Sequence, residues 1–238
     1  QTNFMNYYGK NFYKFYFKNK IKKLPFVTSK LAITKDGFIK NKKSKNITSS
    51  ESRLRTHIIR SQNNAILTTA KTIIDDDSLL NCRIKGLENL SPARIILDKR
   101  LLTPINSKLI KTSNKHKTFI FFNHFNKKKI SLLKKNKIKL VYLPINTEED
   151  FDLNVVFKKI YSLGFSRVMV EAGVKFNTEL LKYNLIDQFY IFNSMKKIGA
   201  DGLKKSINLI NIVNKKKIKK NSINVNLNGE KLMLYELN

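Results

Sequence analysis

Short apolar runs alternating with amphipathic stretches are the feature of this 238-residue chain that most restricts its fold. Helices are predicted after Ser49-Ser50, after Asp152 and after Gly173. Strands are predicted at 26–33, 65–67, 94–97, 118–122, 139–143, 167–171 and 189–192, and two weaker ones near 222–227 and 231–236. This alternation is typical of an α/β domain with a largely parallel sheet and right-handed crossovers.

Local signals refine this prediction. Asp36-Gly37 predicts a turn after the first strand. The first helix is expected to bury a stripe made of Leu54, Ile58 and Ile59. Two stretches, 68–83 and 199–218, are interpreted as a polar loop and an irregular segment.

The charge is strongly unbalanced: 47 Lys and Arg against 17 Asp and Glu give a net charge of +30. Such a chain attracts polyanions. The lysine runs at 127–129, 134–135 and 215–217 are scattered, however, and neither an RNA-recognition aromatic motif nor zinc-finger spacing is found. We interpret the excess as solvated surface charge, and a non-enzymatic protein that binds RNA or another anion is the alternative.

The cysteine count, the histidine spacing and the length of the apolar runs bear on metal sites and on the cellular compartment. The single cysteine, Cys82, excludes a disulfide framework and a cysteine-based zinc site. The histidines His57, His116 and His124 have no ligand spacing, so no metal site is predicted. No apolar run reaches about 18 residues and no secretory leader is seen, so we predict a cytoplasmic protein without a membrane span.

Three groups of residues carry candidate chemistry. Glu171-Ala172-Gly173 joins a strand to a helix whose N-terminus suits a pyrophosphate, although many ordinary turns contain glycine and no G-x-G-x-x-G is present. The acids at 75–77 fit a structural loop, a hard cation, or a carboxylate that faces a sugar or nicotinamide. Ser44, Arg60 and Arg83 suit a phosphoester, or they are surface residues in a basic chain.

Taken in order, these segments resemble a known family. The resemblance is carried by residues 25–27, 30–32, Asp36-Gly37, Ser44, Ile47-Thr48, Arg60, 65–67, Thr72, Asp76-Asp77, Leu79, Arg83, 94–98, Thr103-Pro104, 170–173, 185–187 and Ile198-Gly199. The chain resembles the reductase domain of the riboflavin-biosynthesis deaminase/reductases. The resemblance implies a dihydrofolate-reductase-like fold, in which helices cover both faces of a mostly parallel central sheet. It also implies NADPH-dependent reduction of 5-amino-6-(5-phosphoribosylamino)uracil by hydride transfer to the ribose C1.

The same resemblance implies roles for individual residues. Asp76 and Glu171 become candidates for orientation or proton transfer. The residues expected against NADPH are Ala32, Asn46, Thr72, Asp76, Lys99, Gly173, Val174, Lys175, Phe176, Asn177, Thr178 and Glu179. Those expected against the phosphorylated pyrimidine are Ser44, Arg60, Leu80, Arg83 and Glu171. A dihydrofolate-reducing enzyme of the same fold is the less favoured alternative, because Arg60 and Arg83 suit a substrate phosphate.

The chain departs from the family pattern at several positions. Asn46 replaces a tryptophan beside the nicotinamide, Ser78 a proline, Lys99 a cofactor-contacting serine and Met195 a proline. These changes leave a decayed, inactive domain as an alternative. Lys99 and Arg100 could instead favour the 2′-phosphate of NADPH.

The domain prediction places a basic aromatic connector at 1–24 and the reductase domain at 25–238. In the bifunctional family a zinc deaminase precedes such a connector, and its H-x-E and P-C-x-x-C motifs are not found in this sequence. We therefore expect a piece of a longer protein, or one that has lost its deaminase, with that activity supplied upstream. The resemblance further implies a homodimer, and it leaves open whether the deaminated or the not yet deaminated pyrimidine is used.

Overall fold

The computed structural model describes residues 13–44, 46–215 and 219–237. The strands are β1 (Phe26–Ile33), β2 (Phe38–Asn41), β3 (Ala65–Thr69), β4 (Ala93–Leu97), β5 (Thr118–Phe122), β6 (Lys139–Tyr142), β7 (Arg167–Val170), β8 (Gln188–Asn193), β9 (Gly202–Lys205), β10 (Lys219–Ile223) and β11 (Lys231–Glu236). The helices are α1 (Ser50–Ser61), α2 (Ala70–Asp76), α3 (Lys108–Lys111), α4 (Lys127–Lys135), α5 (Leu153–Ser162), α6 (Val174–Lys182) and α7 (Ile207–Lys215).

Within the described residues, nine strands form the central sheet, in the order β10-β11-β8-β1-β7-β3-β4-β5-β6. All pairs from β8 to β6 are parallel, whereas β11 pairs antiparallel with β8 and β10 antiparallel with β11. Side chains alternate across each strand, so Leu67 faces one core and its neighbour Ile66 the other. Helices α5, α6 and α7 cover the first face, and α1 to α4 cover the second. The mostly parallel sheet with helices on both faces is thus confirmed.

Two stretches predicted as irregular contain regular structure, although 77–83 has neither helix nor strand, as predicted, and 216–218 lies outside the described residues. In 68–83, β3 continues to Thr69, whose hydroxyl caps α2, and Ile73 of that helix is buried. In 199–218, β9 is followed by α7, whose Leu209 and Val213 lie one turn apart and reach the core. Of the apolar residues, α2 buries two and α7 buries two, and β9 buries none, so these elements have no clear hydrophobic period.

The predicted stripe of α1 is rotated around the helix. Ile59 is buried as predicted, but Leu54 is 52% exposed, and Ser52 and Thr56 take the buried positions instead. Hydroxyl groups can take this face because their partners lie inside the protein: Thr56 Oγ1 donates to the carbonyl of Ser52. Hydrophobicity alone therefore identified the helix and only part of its buried face.

Strands β2 and β9 form a separate two-stranded antiparallel sheet, which we call the flap (38–41 and 202–205). Gly37, with φ of 82°, makes the predicted turn into it. Asp36 fixes its base by accepting the backbone N–H groups of Ile198 and Gly199. The hydroxyl of Thr34 and these N–H groups lower the pKa of Asp36 to about 2, so its carboxylate stays ionised.

The described part of the predicted connector, from residue 13 onward, packs against the sheet. Lys18 Nζ lies 2.5 Å from the carboxylate of Asp187, and Asn19 donates to the carbonyl of Ser166. Residues 1–12 lie outside the described residues. Across the described ranges, no helix combines the length and the apolar character that crossing a membrane requires.

Candidate active site

A cleft opens where the carboxyl ends of β1, β7, β3 and β4 meet, the edge at which open α/β sheets bind ligands. Its volume is about 1970 Å³. A pocket for one drug-sized ligand occupies about 300–1,000 Å³, so this cleft has room for a dinucleotide beside a second molecule.

Glu171 and Arg60 form an ion pair on the wall of this cleft. Glu171 follows β7, and its backbone is held by Leu67 and by the hydroxyl of Thr68. Arg60 comes from the last turn of α1 and donates through Nε to Oε1 (2.5 Å) and through Nη2 to Oε2 (2.9 Å). The two side chains are 11% and 15% exposed. Burial alone would raise the pKa of Glu171, but the charge and hydrogen bonds of Arg60 hold it below its usual value.

This geometry changes the expectation for Arg60. Its Nη1 also donates to the carbonyl of Asn81 at 3.0 Å, so both ends of the guanidinium have protein partners. The guanidinium N–H groups that would bind the substrate phosphate implied by the resemblance already donate to Glu171 and Asn81. Its described contacts favour holding Glu171 ionised and fixed in orientation.

Lys30 is a site residue that the sequence interpretation missed. It lies on β1, partly buried, lines the same cleft, and its Nζ stands 5.4 Å from the centre of the Phe192 ring. Burial lowers its pKa, and the nearby charge of Glu171 offsets part of that effect. One sequence signal could have found it: a lone charged residue in an otherwise uncharged, mostly buried strand.

A second basic group lies beside this pair. Arg83 and Arg53 both line the cleft and are exposed; the guanidinium of Arg83 donates to Asn81 Oδ1 and that of Arg53 to the carbonyl of Thr48. His57 is buried next to Arg60. Burial and the charges of Arg60 and Arg83 lower the pKa of His57 to about 4, so the imidazole is neutral near pH 7.

The N-terminus of α6 also opens onto the cleft. Gly173 is its N-cap, with no side chain to satisfy the first backbone N–H groups, and a Cβ placed there would meet no atom within 4 Å. Val174, Lys175, Phe176 and Glu179 line the cleft as expected.

Two expected cofactor residues do not line it. Asn177 is completely buried; it bonds Ser29 and donates to the carbonyls of Ala172 and Gly173. Its described role is to hold the turn that precedes α6. Thr178 is absent from the cleft wall as well.

The other predicted residues are distributed around the rim. Asp76 is the last residue of α2, and its side chain is 47% exposed. It accepts a hydrogen bond from Lys40, whereas Glu171 is paired with Arg60. Lys99, at the end of β4, donates to the carbonyl of Glu149. The remaining predicted residues that line the cleft are Ala32, Ser44, Asn46, Thr72 and Leu80.

Two other acids, Asp98 and Asp77, have structural roles. Asp98 accepts the N–H groups of Leu102 and Thr103 in the turn after β4. Asp77 is the C-cap that follows α2, and its side chain accepts the backbone N–H of Lys108. Within the described residues, no three His, Cys, Asp or Glu side chains are grouped to hold a metal ion.

Comparison with known proteins identifies the family. The model of the RibD C-terminal domain matches residues 25–230. The chain belongs to the RibD C-terminal domain family. This confirms the resemblance found in the sequence, and the match covers every strand that borders the cleft.

Individual relatives agree. The riboflavin biosynthesis protein RibD of Aquifex aeolicus is 32% identical over 213 residues, which are 89% of this chain and 57% of that protein. The 2,5-diamino-6-ribosylamino-4(3H)-pyrimidinone 5′-phosphate reductase of Debaryomyces hansenii is 30% identical, over 76% of this chain and 79% of that protein.

A solved structure shares the fold. The deaminase/reductase of Thermotoga maritima superposes with a TM-score of 0.74 at 23% identity, covering 94% of this chain and 60% of that one. The chain thus spans little more than half of the bifunctional structure and of the Aquifex relative.

Proposed function

We propose that this RibD-family chain is an NADPH-dependent reductase of riboflavin biosynthesis that converts 5-amino-6-(5-phosphoribosylamino)uracil to its ribitylamino product. The observation that carries the proposal is the grouping of Glu171, Arg60 and Lys30 beside Gly173 in one large cleft. The names of the Aquifex and Debaryomyces relatives support it.

The cleft fits a dinucleotide. The uncapped N–H groups at the start of α6, with open space over Gly173, suit its pyrophosphate. Thr72 and Lys99 border the cleft beyond the ends of β3 and β4, and we assign them to the adenosine half. Ala32 and Asn46, near the end of β1, are assigned to the nicotinamide half.

The phosphorylated pyrimidine would occupy the side of the cleft formed by α1. Arg83 and Arg53 are the exposed guanidinium groups there, and Ser44 adds a hydroxyl. Planar guanidinium forks match phosphate oxygens well. We therefore transfer phosphate binding from Arg60 to Arg83 and Arg53, and leave Arg60 as the positioning partner of Glu171.

Opening the ribose ring requires a proton on the ring oxygen as the bond from C1 to that oxygen breaks. NADPH, when bound, supplies the hydride that C1 gains. Lys30 is the ammonium group placed to give the proton, and ionised Glu171 orients the amino and hydroxyl groups of the substrate. Asp76, on the rim with Lys40, is assigned to the cofactor side.

The direct test is NADPH binding to the purified chain, followed by fluorescence at low and at physiological salt, with NADH as the control. The proposal expects saturable binding that prefers NADPH and persists at the higher salt. Weak binding that salt abolishes for both nucleotides is what a basic anion-binding protein would give. Saturable binding without turnover is the result expected of a decayed domain.

The cellular setting is also a proposal. The Thermotoga protein is named as both a deaminase and a reductase, and this chain matches its reductase part. We propose that a separate domain or protein supplies the deaminated pyrimidine to a homodimeric reductase in the cytoplasm. Size-exclusion chromatography with light scattering tests the dimer.

A further inference from the structure

We propose that Lys40 and Lys204 of the flap form an electrostatic strap with Asp75 and Asp76 of α2, and that opening this strap controls ligand exchange from the cleft. NADPH serves as the ligand in the main test, so that test rests on the proposed function. The strap itself rests on the topology and contacts of the flap.

The topology places the strap over the mouth of the cleft. The flap strand β2 follows the end of β1, and α2 follows the end of β3. In the sheet, β7 lies between β1 and β3. A contact from β2 to α2 therefore spans the end of β7, where Glu171 and Gly173 face the cleft.

Three ion pairs make this connection. Lys40 Nζ lies 3.0 Å from Asp76 Oδ1 and 3.7 Å from Asp75 Oδ2, and Lys204 Nζ lies 3.6 Å from Asp75 Oδ2. All four side chains line the cleft. Lys71 also pairs with Asp75, but both belong to α2, so that pair does not cross the mouth.

The flap is fixed at one end, and its link to α2 is exposed to solvent. Asp36, just before β2, accepts two backbone N–H groups. The two strands are matched closely, because a Cβ at Gly202 would lie 2.4 Å from the ring of Phe38. Lys40 and Lys204 lie within the two strands and are 32% and 48% exposed, so water and salt screen their ion pairs. Such a strap can open without unfolding the flap.

The main experiment measures the dissociation rate of NADPH from the full chain by a stopped-flow chase. Asp75→Asn removes both cross-cleft pairs to Asp75 and is expected to speed dissociation about threefold to tenfold. Asp201→Asn is the matched control. This variant makes the same charge change and removes the ion pair between Asp201 and Lys43, whose charged atoms are 2.8 Å apart. These two residues lie next to the flap strands, so their pair does not reach α2. Its rate should stay within about twofold of the wild-type rate.

A charge exchange separates electrostatics from damage to the fold. Asp75→Lys should speed dissociation further, and adding Lys204→Asp should restore part of the lost retention. Added salt should speed wild-type dissociation toward the rate of the Asp75→Asn variant. Equal rates for wild type, Asp75→Asn and Asp75→Lys would overturn the strap while leaving NADPH binding, and thus the proposed function, intact.

A measurement without ligand keeps the strap testable if NADPH does not bind, a result that would contradict the proposed function. Hydrogen exchange of the β2 and β9 amides should be faster in Asp75→Asn than in Asp201→Asn or in the wild type. Equal protection of these strands in all three proteins would overturn the strap.

Discussion

Arg60 and Glu171 are 111 residues apart in the chain, yet both oxygens of the carboxylate accept hydrogen bonds from one guanidinium group. The pair links the last turn of α1 to the end of β7 and is nearly excluded from water. A buried ion pair contributes little net free energy of folding, because burying the two charges is costly. Removing one partner is nevertheless destabilising, because it leaves an uncompensated buried charge. The pair therefore fixes the ionisation and the position of Glu171.

Glu171→Gln tests the role of that charge in turnover. The amide keeps the shape of the side chain but cannot carry the negative charge that orients the substrate. We expect kcat to fall about 100-fold or more, with NADPH affinity unchanged. Steady-state kinetics with a parallel NADPH titration measures both quantities. Unchanged kcat would remove Glu171 from the mechanism.

Arg60→Met tests the positioning role. Without the guanidinium, burial raises the pKa of Glu171, so the acid limb of the pH–rate profile should move to higher pH. Glu171 would also be left unpaired, and the free energy of unfolding in urea should fall by about 3–5 kcal/mol. The control is Lys182→Met, which breaks the exposed pair with Glu179 and should cost less than about 1 kcal/mol. An unmoved acid limb would contradict this role.

The ion pair also makes stability depend on pH. The pKa of Glu171 is depressed in the folded state, so its contribution is present above the usual glutamate value of 4.5. That contribution is lost as the pH falls through the depressed folded value. Urea unfolding of the wild type should therefore show a larger loss of stability in acid than urea unfolding of Arg60→Met, in which the other acids with lowered pKa values, such as Asp36, remain.

Lys30 should control the alkaline limb of the rate. Burial lowers its pKa below the usual 10.5, so the ammonium loses its proton as the pH rises through that lower value, and kcat should fall. Below the pKa of Lys30, Lys30→Met should reduce kcat by about 100-fold, and the difference from the wild type should shrink at higher pH. Lys30→Arg keeps a charge throughout, so any residual activity should lack the alkaline limb. An identical limb in Lys30→Arg would assign it to another group.

Lys99→Ser tests cofactor preference. Lys99 lines the cleft, and its ammonium rests on the carbonyl of Glu149, within reach of the half assigned to adenosine. If it meets the 2′-phosphate, the ratio of NADH to NADPH dissociation constants should fall about fivefold to tenfold in the variant. A ratio equal to that of the wild type would exclude this contact.

The sheet could be predicted from the sequence because its strands are short apolar runs bounded by turns. β1, β5 and β8 were all located within one residue of their observed limits. Elements that bury at most two apolar residues were not found; these are α2, β9 and α7. Their period is set by contacts with distant segments, which local hydrophobicity does not encode.

In the candidate site too, the sequence identified residues but not the contacts that they make with distant segments. Glu171, Arg60 and Arg83 were named from the sequence and lie on one cleft, but the bidentate pair that engages Arg60 depends on how α1 packs beside β7. Asn177 looked like part of a cofactor turn and is a buried internal support. Arg94 reads as an ordinary strand residue, yet its completely buried guanidinium donates to the hydroxyls of Thr112 and Thr118. Such partners become visible only in three dimensions.

The central claim is that this chain reduces a phosphorylated ribosylaminopyrimidine with NADPH. The most direct measurement is substrate-dependent NADPH oxidation by the purified chain, given 5-amino-6-(5-phosphoribosylamino)uracil or its diamino precursor in separate reactions. Mass spectrometry identifies the product. Turnover of one of them to the ribitylamino product, lost in Glu171→Gln, is the result we predict. NADPH oxidation no faster with either pyrimidine than without would contradict the claim.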